Sequence, residues 1–178
     1  SEQISTAGLE ASGTGNMKFM MNGAVTLGTY DGANVEIDEA LEGENIYIFG
    51  VRVEHMDATR AYYNPQWQYE HVPGLKRAVD RLVDGTLDDG GTGMFRDIYT
   101  ALLYGSSWQP ADVYYVLGDF EAYRETKDRV LIDYQDRRAW ARKCWMNICA
   151  SGCFSSDRTI EHYAKDIWKI DVARVKGD

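Results

Sequence analysis

The sequence lacks the long hydrophobic run of a membrane-spanning protein. No apolar stretch in its 178 residues approaches the roughly 20 that a helix needs to cross a bilayer. The first residues, SEQIS, contain neither a basic leader nor an apolar core, so we expect no signal peptide and no membrane partner. They also lack an initiator Met, so we expect the chain to be a fragment of a longer protein.

Positive charge and cysteine are also scarce. The chain has 19 Lys and Arg against 28 Asp and Glu, a formal net charge of -9. That balance repels polyphosphates at long range and disfavours sequence-independent nucleic-acid binding. The cysteines, Cys144, Cys149 and Cys153, form neither an even, dispersed disulfide set nor a zinc-binding spacing. We therefore expect reduced, partly buried thiols and a cytoplasmic protein.

What is present favours one α/β domain over residues 1–178. Hydrophobic residues make up 44% and charged residues 26%, a composition typical of globular proteins. Residues 24–30 and 46–50 are short β-branched and aromatic runs, which predict strands buried on both faces. A short helix over residues 33–41 would join them as a parallel pair through a crossover.

The remainder of the sequence is predicted to be mostly helical. Apolar residues recur at helical spacing around 75–83, 95–103, 120–134, 140–148 and 160–168. Ser156 or Asp157 would cap the last helix, and residues 113–117 could form a short strand. We interpret the apolar stripes as packing surfaces. The fold class is therefore α/β, with parallel strands followed by a mostly helical C-terminal half.

One segment, EASGTGNMKFMM at residues 10–21, carries a chemical signal. Gly13 and Gly15 let the backbone approach a ligand and expose successive N–H groups. A helix beginning near Asn16 would add unpaired N–H donors and the positive end of its dipole. Together these features form a cradle suited to a phosphate. The segment is not a Walker A loop. It is not the dinucleotide fingerprint G-x-G-x-x-G either, because Lys18 occupies the position of the third glycine.

Lys18 follows this turn among apolar side chains. In such surroundings near a helix N-terminus, desolvation and the dipole would both lower the pKa of its ammonium group. That environment is typical of lysines that form Schiff bases. A lysine that simply extends into solvent explains the same spacing. The residues alone therefore predict a phosphate site and leave the reactive lysine open.

Polar residues on either side of this turn are weaker indicators of a functional site. Glu10 could accept hydrogen bonds from sugar hydroxyls, with the N–H groups of Ser12 and Gly13 as donors, or it could be a surface charge. DGAN at residues 31–34 is typical of a capped turn after a strand. The histidines are scattered at His55, His71 and His162. We identify no Ser/His/Asp set and no metal site.

Two stretches together resemble a known segment. SEQISTAG at residues 1–8 and EASGTGNMKF at residues 10–19 closely resemble the pyridoxal-phosphate segment of the α-glucan phosphorylases, the family of glycogen, starch and maltodextrin phosphorylases. The similarity continues through DGANVE at residues 31–36 and returns in FSSDRTI at residues 154–160. The chain thus resembles the C-terminal portion of a much longer enzyme.

The resemblance implies a fold and an activity. The family has the glycosyltransferase B-type fold, so this chain would be the C-terminal part of one Rossmann-like domain. Its members cleave terminal α-1,4-glucosyl units with inorganic phosphate and release glucose 1-phosphate. Their pyridoxal 5′-phosphate acts through its 5′-phosphate as proton donor and acceptor. The implied partners are α-1,4-glucan and inorganic phosphate, and the family usually forms homodimers.

The resemblance also assigns roles to residues. Lys18 matches the lysine that holds the cofactor covalently, and Thr14 and Gly13 match positions whose N–H groups meet its 5′-phosphate. The positions that match the family's glucosyl contacts are Glu10, Ala11, Ser12 and Gly13. Lys18 and Glu10 are therefore the expected catalytic residues.

Much of the family's machinery has no counterpart in these residues. The basic groups that bind the substrate phosphate, other cofactor contacts and the N-terminal domain would lie upstream. We therefore expect the chain alone to be inactive and to hold cofactor weakly, and its bared apolar surface could favour a homodimer. Two alternatives stay open: a sugar-nucleotide glycosyltransferase without pyridoxal phosphate, and a folded module without catalysis.

Overall fold

A computed structural model of the protein describes residues 1–9 and 13–171. Its first third contains, in chain order, β1 (Glu2–Gln3), α1 (Thr14–Met21), β2 (Leu27–Thr29), α2 (Ala33–Ala40) and β3 (Tyr47–Phe49). The strands form a parallel sheet in the order β1-β2-β3. Leu27 in the central strand pairs with Glu2 on one side and Tyr47 on the other. The predicted parallel α/β arrangement is therefore confirmed.

The rest of the described chain is mostly helical, as predicted. Its helices are α3 (Met56–Tyr62), α4 (Pro65–His71), α5 (Leu75–Asp80), α6 (Met94–Leu103), α7 (Val116–Asp133), α8 (Arg137–Ala150) and α9 (Ser156–His162). Short 3₁₀ turns lie at Val53–His55 and Ser151–Phe154, and a π-helical segment at Tyr163–Trp168 follows α9. Within the described ranges, no helix has the length and apolar character needed to cross a membrane.

Short polar side chains set where some of these helices begin. Asp136 Oδ1 accepts a hydrogen bond of 2.9 Å from the backbone N–H of Ala139 at the start of α8. Ser155 caps α9, one residue before the predicted pair Ser156 and Asp157. Helices α3 and α4 were not predicted, because their sequences carry no repeated apolar stripe.

The strand predicted at residues 113–117 is wrong. Helix α7 begins at Val116 instead. The carboxylate of Asp112 accepts hydrogen bonds from the backbone N–H groups of Val116, at 2.9 Å, and Leu117, at 2.8 Å. This capping satisfies free donors at the helix start and outweighs the β propensity of the run VYYVL.

Alternate residues near β3 pack on opposite faces of the sheet. Ile46 packs with Met20 of α1 and Ile37 of α2, whereas Tyr47 and Phe49 pack against α7 and α8. A third cluster joins α5, α6 and α7 through Leu75, Val79, Leu103 and Leu117. Because the strands are parallel, their carboxyl ends share one edge, and ligands of open α/β sheets bind outside that edge.

Candidate functional site

The starts of α1 and α2 are in direct contact at this edge. Gly13 precedes α1 with a φ of 75°, in the left-handed region. A Cβ at this position would lie 2.5 Å from the Cβ of Ala33, the first residue of α2. Only glycine allows both the backbone conformation and the close approach.

The first turn of α1 has backbone donors available for a ligand. Its first helical bond runs from the N–H of Met17 to the carbonyl of Gly13, at 3.3 Å. The N–H groups of Thr14, Gly15 and Asn16 precede that bond, so they have no acceptor within the helix. The phosphate site predicted from the glycine spacing would use these donors, and it stays a prediction.

A buried amide pair fixes the two helix starts to the sheet. Asn16 Nδ2 donates to Asn34 Oδ1 at 2.7 Å, and Asn34 Nδ2 donates to the carbonyl of Thr29 at 2.9 Å. Asn16 and Asn34 are only 4% and 2% exposed. A Cβ at Gly28 would lie 2.5 Å from Asn34 Nδ2, so the glycine makes room for this amide. The network thus ties α1, α2 and β2 together.

The loop after β1 is held against the turn after β2. The carboxylate of Asp31 accepts a hydrogen bond of 3.1 Å from the backbone N–H of Leu9. The hydroxyl of Thr29, the last residue of β2, donates to the carbonyl of Ser5. These bonds hold the segment that leads into the glycine turn at the carboxyl edge of the sheet.

Lys18 lies on the solvent side of α1. The buried residues of this helix are Asn16 and Met20, four positions apart, so a residue midway between them points away from the core. Lys18 is exposed, and its amine has no hydrogen bond or ion pair with any described residue. The expectation of apolar surroundings for Lys18 is therefore wrong for this chain.

Lys18 was expected near the N-terminus of its helix, but it lies nearer the C-terminus. Helix α1 begins at Thr14 rather than near Asn16, so Lys18 falls in its last turn. The negative end of a helix dipole lies there, and it favours a cation. Lys18 is therefore neither buried nor at the positive end of its helix.

The remaining predicted site residues fall into two groups. Gly13 is half-buried and Thr14 exposed, side by side at the start of α1. The predicted glucosyl contacts Glu10, Ala11 and Ser12 lie outside the described residues. Their roles therefore stay predictions.

Comparison with known proteins identifies the family. The sequence pattern of the family described as "Carbohydrate phosphorylase" matches residues 1–170. The chain belongs to this family. The resemblance found in the glycine turn is therefore confirmed across nearly the whole sequence.

Several glycogen phosphorylases are close relatives of this phosphorylase chain. It is 47% identical over 172 residues to the human brain form and covers 96% of its own length in that alignment. It is 46% identical over 175 residues to the rabbit (Oryctolagus cuniculus) muscle form, covering 98%. In both comparisons the chain spans only 20% of the relative's length.

The phosphorylase chain places one further carboxyl at the sheet edge, which sequence reasoning missed. Asp119 of α7 lies beside the turn after β3, where its Oδ1 accepts a hydrogen bond of 3.0 Å from the N–H of Val51. Burial raises the pKa of the Asp119 carboxyl, and the nearby charge of Asp112 adds to the rise. No local motif marks this residue, because its partner is 68 positions away.

The sequence patterns also did not reveal the amide pair of Asn16 and Asn34, although both residues lie in recognisable turn motifs. Asn16 and Asn34 belong to the segments GTGN and DGAN, each a small-residue turn before a helix. An asparagine at the start of a predicted helix is usually read as a cap. Here both side chains point inward instead and meet each other.

Proposed function

We propose that this chain is the cofactor-binding portion of an α-1,4-glucan phosphorylase. The intact enzyme would cleave terminal α-1,4-glucosyl units with inorganic phosphate and release glucose 1-phosphate. The main support is the 46–47% identity to glycogen phosphorylases over 96–98% of the chain. Because the chain spans 20% of those relatives, the activity is proposed for the protein that contains it.

The start of α1 fits the phosphate of pyridoxal 5′-phosphate. Gly13 keeps the backbone open, and the N–H groups of Thr14 and its neighbours have no helical acceptor. Lys18 on the same helix has an accessible amine without a partner among the described residues. We assign Lys18 to covalent attachment of the cofactor, and Gly13 and Thr14 to its 5′-phosphate. When bound, the cofactor supplies a phosphate that donates and accepts a proton at the substrate phosphate.

The glucosyl unit is assigned to the segment just before α1. Glu10 would accept hydrogen bonds from sugar hydroxyls, and the amides of Ala11, Ser12 and Gly13 would donate to others. The bond between Asp31 and the N–H of Leu9 supports this role, because it restrains the residue next to Glu10.

The same proposal covers the domain, the compartment and the assembly of the intact enzyme. Residues 1–178 would form one part of the catalytic domain of a cytoplasmic enzyme, and the remaining polypeptide would supply the basic groups for the substrate phosphate. Large apolar side chains are exposed near the C-terminal helices, among them Trp145 at 64% and Ile167 at 63%. Such surface is typical of an interface, with the rest of the enzyme or with a second copy in a homodimer. Alone, the 178 residues would not turn over glucan.

Borohydride trapping of the intact protein tests the cofactor assignment. Reduction fixes a pyridoxyl group on the lysine that carries it, and a modified lysine resists trypsin. No Lys or Arg lies between Lys18 and Arg52, so the labelled tryptic peptide should run through Lys18 to Arg52. The Lys18→Arg variant, which keeps the positive charge, should give no label.

The alternatives give different results in that experiment. A sugar-nucleotide glycosyltransferase or a non-catalytic module predicts no pyridoxyl peptide at all. A label on another lysine would overturn the assignment of Lys18 and leave the family membership untouched.

A further inference from the structure

A cavity lies between the end of α6 and the start of α7, and none of its lining residues belongs to the described part of the glycine turn. Its volume is about 650 Å³, within the range of small-molecule sites. One wall is the loop at residues 104–115, which closes through paired backbone bonds between Ser106 and Gln109, at 2.8 and 3.4 Å. Gly105 has a φ of 66°, and a Cβ there would lie 2.5 Å from the carbonyl of Gln109. The loop is therefore a compact, defined structure.

Strained backbone anchors the far end of this loop. Asp112 and Tyr115 both have left-handed backbone, with φ of 42° and 54°. Such conformations are unfavourable in residues other than glycine and persist only where surrounding contacts impose them. Asp112 is 3% exposed, and besides capping α7 its carboxylate accepts a hydrogen bond from the hydroxyl of Tyr63. Strain held in this way often accompanies a binding function.

Two aromatic rings line the cavity and remain open to solvent. Trp108 is 82% exposed and Tyr114 is 59% exposed. Aromatic rings offer large, flat apolar surfaces, and each of these two also carries a polar group. Both rings are therefore available to stack against a flat ligand.

The polar side chains around these rings are also available. Asp97, Ser106 and Gln109 line the same cavity, and their side chains form no hydrogen bond or ion pair with any described residue. Together they offer both donors and acceptors. An apolar protein segment docked here would bury them unpaired, which is costly.

The charge of the cavity restricts its ligand. Among the described residues that line it, none is Lys, Arg or His, and both Asp97 and Asp112 are acidic. Phosphates and other anions are therefore disfavoured. A neutral ligand with hydroxyl groups at its edges and C–H groups on its faces matches the lining, and that description fits a sugar ring.

The loop also contacts the segment that leads into the candidate site. The side-chain hydroxyl of Thr6 donates to the carbonyl of Tyr114. Thr6 stands four positions before Glu10, the predicted glucosyl contact. A polymer held in the cavity would thus lie beside Thr6, on the segment that leads towards the residues proposed to bind the reacting unit, which would raise its local concentration for them.

We propose that this cavity is a second carbohydrate site, which binds part of an α-1,4-glucan chain with Trp108 and Tyr114 as stacking surfaces. That the saccharide is a glucan rests on the proposed function. That the ligand is a neutral saccharide follows from the aromatic, polar and acidic residues that line the cavity. Asp97, Ser106 and Gln109 bind its hydroxyls. The site retains the polymer and takes no part in bond cleavage.

Titration calorimetry of the intact protein with maltoheptaose tests this proposal. Trp108→Ala should weaken maltoheptaose binding about 3- to 10-fold, the range for one aromatic stacking contact. Trp108→Phe keeps a stacking ring and should retain most of the affinity. Tyr62→Ala is the control, because Tyr62 is 90% exposed and lies outside the cavity; this variant should bind maltoheptaose as the unmodified protein does.

Each outcome separates this proposal from the phosphorylase assignment. Unchanged binding in Trp108→Ala, or an equal loss in Tyr62→Ala, overturns the second site even where borohydride labels Lys18. A selective loss in Trp108→Ala supports the site even where no pyridoxyl label is found. In an active enzyme, Trp108→Ala should raise KM for long glucans and leave kcat unchanged, whereas a lower kcat would contradict a purely retaining role.

Discussion

Asn16 and Asn34 form a buried side-chain hydrogen bond of 2.7 Å that joins α1 to α2. Asn34 also donates to the carbonyl of Thr29, so this bond extends into the sheet. A buried polar group left without its partner costs about 1–3 kcal/mol. The pair therefore fixes the direction of α1, the helix that carries Lys18 and the proposed phosphate donors.

We predict strong coupling between these two amides. Asn16→Ala and Asn34→Ala should each lower the free energy of unfolding, because each leaves the other amide unpaired in the core. The double variant should lose less than the sum, with a coupling of about 0.5–3 kcal/mol. Urea denaturation of all four proteins measures this cycle. Strictly additive losses would show that the two side chains do not depend on each other.

The two glycines of the turn should respond in opposite directions to alanine. Gly13→Ala places a Cβ 2.5 Å from Ala33 in left-handed backbone, so it should destabilise the fold and weaken cofactor binding. Gly15→Ala meets nothing within 4 Å inside α1, where alanine is favoured by about 0.5–1 kcal/mol. Thermal unfolding of both variants checks the contrast. Equal effects would mean that Gly13 is not held against α2.

Asp119 should make the stability depend on pH. Its raised pKa means that the folded state binds a proton more readily than the unfolded state does. The contribution of this group to stability therefore falls as pH rises from about 3.9, the ordinary aspartate value, through the raised pKa. Asp119→Asn keeps an oxygen for the N–H of Val51 and removes the charge.

The measurement is the difference in unfolding free energy between Asp119→Asn and the unmodified protein across that window. The variant should gain in relative stability as pH rises and then level off once Asp119 is ionised. A difference that is constant with pH, or that shrinks, would contradict a carboxyl whose ionised form is disfavoured by burial.

Much of the fold was predictable because local patterns and burial agree. Residues 24–30 and 46–50 are apolar and β-branched, and their centres form β2 and β3 inside a sheet covered on both faces. The spacing of Phe95, Ile98 and Leu102 likewise predicted α6. At Val116 the local pattern failed, because the carboxylate of Asp112 decided the structure there.

The candidate site was predictable in its backbone and less so in its side chains. The positive φ of Gly13 and the helix after it follow from the glycine spacing. The exposure of Lys18 does not, because it depends on which face of α1 the buried residues Asn16 and Met20 select. The position of Asp119 depends on contacts distant in sequence, which a local motif does not report.

The central claim is that Lys18 carries the cofactor of a glucan phosphorylase. The most direct measurement is glucose 1-phosphate release from glycogen and phosphate by the intact protein and by its Lys18→Ala variant. The account predicts that the unmodified protein is active and absorbs near the edge of the visible range, and that the variant loses both properties. A variant that releases glucose 1-phosphate at the unmodified rate would contradict the account.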